Sequence, residues 1–340
     1  FKLCDAAGLL NVSRWLRLLS VDGLLDEPSR IEALERFALE NPKSYREAAP
    51  LVKSFLDVGS QIRVMGQVEA LLQQEPVLRA DVLFDLALIY ELQLKDTAKA
   101  LGIYIQGIEL SPRLDQQMKV AELSYDLGYF SRTVDISRSM LPQLDETSEV
   151  GIRLAQISFE SALEIQEERD IERIGDYLLR SNIMTLEAFD AWMTYLNPSW
   201  LRGRIDLCTA WMAQLSEEEA LKAVLIARSC ISVTAPDVWK ELVESQTQVL
   251  NDNPEFQVLR LPWLGRDERL ELQTPLLFQR PDLFEPSKFD SFLFESAAWS
   301  LDKGLDKQFD LLTEYADLAE PRWMRLLLRA FNLRDDALGA

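Results

Sequence analysis

Histidine is absent from all 340 residues. Imidazole is both a base near neutral pH and a common metal ligand. Its absence excludes a Ser-His-Asp relay, a Cys-His dyad, an HExxH zinc site and a Cys/His zinc finger. Cysteine is scarce: Cys4, Cys208 and Cys230 are odd in number and far apart, which fits neither a disulfide framework nor a CxxC metal or redox motif. Free thiols in a reducing compartment are expected, and with them a cytoplasmic location. Long apolar runs are missing too. The longest uncharged stretch, Ala191 to Leu201, is far shorter than the ~18 residues of a membrane span. Phe1-Lys2-Leu3-Cys4 lacks the apolar core of a signal peptide, and a chain starting at Phe1 is expected to be processed or excised. The 13 glycines are dispersed. Neither GxxxxGK[ST], GxGxxG nor GxSxG occurs, so no phosphate cradle or nucleophile elbow is predicted. No catalytic residue, cofactor or metal ligand is assigned.

Basic charge is also short. Fifty-six acids against 36 bases leave a net charge of −20, a surface that repels the phosphate backbone, so direct nucleic-acid binding is not expected. The acidity suits a basic partner surface, or simply solubility. With 48% apolar and 27% charged residues, the chain reads as folded rather than disordered. Carboxylate pairs are too numerous to be informative, because a glycosidase-type pair is defined by a cleft.

What is present is a helical period. Pro42, Pro76 and Pro112 each follow a helix-like stretch (Ile31 to Glu40, Ile62 to Gln74, Thr97 to Leu110), as expected of a residue that cannot continue the hydrogen-bond ladder. Between them apolar residues recur at three- and four-residue steps. Leu83, Leu86, Ala87 and Tyr90 form one stripe; Ala100, Ile103, Tyr104, Gly107 and Ile108 form the next. Two antiparallel helices in about 34 residues is the unit of a helical solenoid, with turns expected near Gly59, Lys95 and Gly128.

Over residues 28–142 the chain resembles the tetratricopeptide repeat family. The family's large, small and aromatic positions look like Leu83, Leu86, Ala87, Tyr90, Ala100, Tyr104, Gly107 and Pro112, with one extra residue in the turn. Tyr45 to Pro76 is similar through Ala48, Leu51, Val52, Phe55, Val64, Val68 and Leu71, although Pro50 departs from the pattern. From Leu114 onward Val120, Ala121, Gly128, Tyr129 and Phe130 fit, while Ser124 and Ser137 replace aromatics. The resemblance implies an all-α, right-handed superhelical array of helix hairpins whose first helices line a concave groove. The groove positions look like Asp81, Phe84, Leu88, Glu91 and Leu92, then Asp115, Met118, Glu122, Tyr125 and Asp126. Neither set contains Lys, Arg or Asn. The implied groove is acidic with apolar anchors, suited to a protein segment carrying Arg or Lys beside bulky apolar residues.

Beyond Pro142 the helical signal persists but the period is lost. We expect repeats over 1–142, degenerate repeats over 143–253, a Pro-rich irregular connector over 254–286 and C-terminal helices over 287–340. Val258 to Leu261 is the best strand candidate, and Ser216 with Glu219 reads as a capping box. Trp192, Trp200 and Trp211 suit either a packed core or an aromatic platform. Trp263, in an apolar loop flanked by arginines, suits either a plug within the chain or a partner contact. Arg322, Arg325, Arg329 and Arg334 give the last helix a basic face without an acid from Pro321 to Arg334, so it either pairs with acidic neighbours or docks on an acidic protein or membrane. These features favour a protein-interaction scaffold or adaptor in a larger assembly. A helical enzyme using carboxylates and a peptide-sensing regulator are the alternatives.

Overall fold

In the computed structural model the chain is helical, and no strand occurs among the described residues, 26–314, 316 and 321–338. Cys4 lies outside them. Packing divides the chain between Ile183 and Met184. The first unit holds α1 (Glu27–Glu40), α2 (Tyr45–Phe55), α3 (Val58–Leu71), α4 (Pro76–Leu88), α5 (Thr97–Leu110), α6 (Leu114–Asp126), α7 (Phe130–Met140), α8 (Glu149–Glu164) and α9 (Glu168–Arg180). From α3 to α9 each helix packs on the next, and α2 meets α4 as α6 meets α8. Pro142 marks no break, because α7 and α8 on either side of it pack together.

Helix starts follow local chemistry. The Asp57 carboxylate accepts from the Ser60 amide (3.1 Å), and Asp96 from that of Lys99 (3.0 Å). Each satisfies an amide that has no partner inside the helix. Asp57 also corrects one expected turn. The chain reverses at Leu56 and Asp57, and Gly59 already lies in the first turn of α3. The other two turns fall at residues in the left-handed region, Lys95 (φ 58°) and Gly128 (φ 76°). The extra residue before Lys95 is absorbed as a π-turn, Ile89–Gln93, closed by the Leu94 amide donating to the Ile89 carbonyl (3.1 Å).

The second unit holds α10 (Leu186–Tyr195), α11 (Pro198–Arg202), α12 (Ile205–Met212), α13 (Glu217–Ile231), α14 (Pro236–Ser245), α15 (Thr247–Leu250), α16 (Pro254–Arg260), α17 (Arg266–Gln279), α18 (Phe289–Asp302), α19 (Asp306–Thr313) and α20 (Pro321–Leu338). The Ser216–Glu219 capping box closes in both directions, at 3.3 and 3.1 Å. Two helical stretches are interrupted, α11 and α12 around Gly203 and α14 and α15 at the buried Gln246.

The connector expected over 254–286 is instead mostly helical. Its prolines punctuate rather than disrupt. Pro254 opens α16 where its missing N–H costs nothing, and Pro262, Pro281 and Pro286 sit in 3-10 turns. Only Pro275 lies inside a helix, α17. The expected strand Val258 to Leu261 is the end of α16 and the turn after it, because the Asn253 side chain caps that helix through the amides of Glu255 and Phe256. Val258, Leu261 and Leu264 pack with Trp323 and Leu326 into one core.

A period absent from the apolar pattern reappears in the polar contacts. Arg138 meets Asp170, 32 residues on, and Arg180 meets Glu146 at 34. In the second unit Thr209 meets Ser245 at 36 and Asn253 meets Glu217 at 36. Asp267 accepts from the Trp299 indole at 32 and the Lys303 ammonium at 36. Asp290 accepts from the Trp323 indole at 33 (3.0 Å).

Asp170 is the most buried of these carboxylates, at 3% exposure. Burial opposes its charge, but hydrogen bonds from Arg138 and Arg173 outweigh that and hold the carboxyl below the usual range. Its contribution to stability is therefore complete above the unfolded-state value of about 3.9 and disappears as pH falls through the lower folded-state value. Asp170→Asn is expected to lose about 2 kcal/mol at pH 7 by urea unfolding. The gap to the parent should close toward pH 2, and an equal loss at both pH values would refute this assignment.

Candidate partner-binding surface

Asp81, Asp85 and Leu88 stand four and three residues apart in α4, so they share a face. That face meets α2. Arg46 and Arg113 both pair with Asp81. Asp85 accepts from the Lys53 ammonium (2.6 Å) and the Tyr45 hydroxyl (2.9 Å). Burial first, and the charge of Asp85 second, push the Tyr45 phenol far above its ordinary value, so it remains a donor. Among these groups lies an open groove of about 720 Å³, lined by Phe84 and Leu88 as well as the charged side chains. The Arg113 guanidinium sits 5.2 Å above the Phe84 ring.

Further along, Glu91 is held by the Lys119 ammonium (2.7 Å) and the Tyr104 hydroxyl (3.1 Å). On α6, Met118 is buried, Glu122 lies 3.9 Å from Arg153, and the Tyr125 hydroxyl donates to Glu160 of α8. Asp115 and Asp126 are exposed. Leu88 and Leu92 are exposed as well, at 38% and 56%.

The ten groove positions therefore divide by environment. Phe84 and Met118 are core, Asp81 and Glu91 are paired, Glu122 and Tyr125 are half-buried against Arg153 and Glu160, and Leu88, Leu92, Asp115 and Asp126 face solvent. The groove expected to be acidic with apolar anchors also holds bases at its α2–α4 end, Arg46 and Lys53 of α2 and Arg113 just before α6. Toward α6 and α8 the carboxylates are Asp115, Glu122, Asp126 and Glu160, of which Glu122 lies 3.9 Å from Arg153. The missed bases carry a signal in the sequence. Arg46 and Arg113 lie 35 and 32 residues from Asp81, and Lys53 lies 32 from Asp85.

The remaining candidates lie in the second unit. Trp192 and Trp211 are buried, with Phe189 between them at 5.9 and 4.8 Å, so these two build core. Trp200 is half-buried beneath the Arg204 guanidinium, 3.8 Å from its ring centre. Trp263 packs edge-on against Trp239 at 6.1 Å. In α20, Arg322 pairs with Asp290 and lies over Phe294, Arg329 reaches Asp302 (2.7 Å), and Arg325 is exposed. The side chain of Arg334 lies outside the described residues.

Among the described residues no cluster of three or more Cys, Asp or Glu is placed to hold a metal ion, and no helix is long and apolar enough to cross a membrane. The carboxylates with displaced titration, such as Asp57, Asp170 and Asp267, are all held low.

No family's sequence profile and no curated protein matches the chain. One solved structure, a "Circular tandem repeat protein with novel repeat topology and enhanced subunit contact surfaces", is 15% identical and aligns over 99% of this chain and 77% of its own. Its TM-score of 0.14 is too low to carry an argument.

Phe84 depends on a missing side chain. Its ring, stacked with Tyr104 at 6.4 Å, occupies the space where a Cβ on Gly107 would stand, 2.3 Å from the ring edge. Gly107→Ala should therefore destabilise the first unit by about 1–3 kcal/mol through overpacking. Urea unfolding checks this, and a variant as stable as the parent would show that Phe84 is not confined.

Proposed function

We propose that the chain is a tetratricopeptide-like solenoid of helix hairpins and acts as a protein-interaction scaffold in a larger assembly. On this reading α2, α4, α6 and α8 are the first helices of successive hairpins, and their faces form the concave surface. The observation that carries it is the pair of solvent-facing leucines, Leu88 and Leu92, set beside a groove whose rim is fixed by cross-helix ion pairs. Rigid apolar anchors within a polar rim are what a partner's bulky side chains need for affinity. Carboxylates toward α6 and α8 favour a segment that follows its apolar residues with Arg or Lys. Such a scaffold would work in the reducing compartment that suits the half-buried free thiol of Cys230.

Glu91 is a poor choice for testing this surface, because Tyr104 and Lys119 hold it. Leu88 and Leu92 are better probes. Leu88→Glu/Leu92→Glu should keep the parent's helix content by circular dichroism yet lose, by at least about tenfold, the proteins captured by the parent from a cell extract. Equal capture by both would place the partner site elsewhere.

A further inference from the structure

Among the described residues, a conspicuous exposed apolar surface lies on α20. Trp323, Leu326 and Ala330 of this helix are buried, whereas Met324, Leu328 and Phe331 are 45%, 59% and 64% exposed. Their four- and three-residue spacing aligns them in one stripe. Arg325 is exposed beside the stripe, and Arg329 at its edge stays 56% exposed despite its pair with Asp302. Three adjacent large apolar side chains in water on a charged helix mark a contact surface.

Charge narrows what covers it. Pro321 to Arg334 contains four arginines and no acid, within a chain of net charge −20. An anionic bilayer would attract this helix and repel the rest of the chain. A second copy of the same chain provides the matching chemistry, because Leu88 and Leu92 are exposed at the end of α4 and in the turn after it, and Asp115 and Asp126 are exposed on α6. We propose that the basic apolar face of α20 in one copy docks on the α4–α6 surface of another, with Met324, Leu328 and Phe331 on the leucines and Arg325 on the carboxylates. This inference rests on the α4–α6 surface being a docking site and names its occupant.

Sedimentation velocity with the whole chain tests it. At low salt the parent should pass from the mass of one chain to that of two as concentration rises, and its dissociation constant should increase about tenfold or more in high salt. Arg325→Glu/Leu328→Glu should sediment as a single chain, and so should Leu92→Lys/Asp126→Lys. An equimolar mixture of the two should regain the complex, since each then offers the charge the other lacks. Arg325→Lys should associate like the parent. If either double variant loses helix signal, Arg325→Glu and Asp126→Lys, both at exposed positions, carry the same comparison. A parent that remains a single chain at every concentration would overturn the inference, as would association that both variants leave intact or a mixture that stays apart. Because capture by Leu88 and Leu92 is measured with other proteins, a failure of self-docking is distinct from a failure of the surface itself.

Discussion

The cross-helix polar pin is the interaction on which the rest of the structure depends. The helices here run from 4 to 18 residues, mostly too short to be stable alone in water. They persist because each buries an apolar face against its neighbours. Burial by itself is non-directional and would tolerate sliding by a turn. A carboxylate or hydroxyl that meets its donor about 34 positions away fixes the register. Asp81, Asp170, Asp267 and Asp290 all serve in this way, and each holds two donors: Arg46 and Arg113, Arg138 and Arg173, Trp299 and Lys303, and Arg322 and Trp323.

The same pins shape the outer surface. Bases are the minority charge, and many are committed to pairs between segments distant in sequence: Arg46, Lys53, Arg113, Lys119, Arg138 and Arg180 among them. The carboxylates in excess remain in water, which concentrates negative charge where no base is at hand, as at Asp115 and Asp126. An exposed pair such as Arg180 with Glu146 adds little stability. The Arg138–Asp170–Arg173 cluster, with its buried carboxylate, matters far more.

Much of the helical character was legible in the sequence. The expected stretch Thr97 to Leu110 is α5 to the residue, and the stripe Leu83 to Tyr90 lies on α4 and the π-turn after it, because propensity, periodicity and the flanking prolines agree there. Where they disagreed, the reading failed in a consistent direction. Five prolines between Pro254 and Pro286 suggested irregular chain, yet proline at the first position of a helix or turn is compatible with helix, and the Asn253 cap starts α16 regardless. From Leu114 onward Ser124 and Ser137 replace the diagnostic aromatics, and after Pro142 the apolar period is lost while the polar one continues. The surface was half legible. Leu88, Leu92 and Asp126 follow from helix position alone, whereas the pairing of Asp81 and Glu91 is invisible in any single helix because their partners lie on others.

The central claim is that these pins couple segments about 34 residues apart even where the apolar period disappears. A double-mutant cycle on Asp290→Asn and Trp323→Phe tests it most directly, since the indole of Trp323 donates to Asp290 across 33 residues. Removal of a hydrogen bond to a charged group should give a coupling energy of about 1.5–3 kcal/mol by urea unfolding. Strictly additive losses would contradict the account and leave the register of the helices to apolar packing alone.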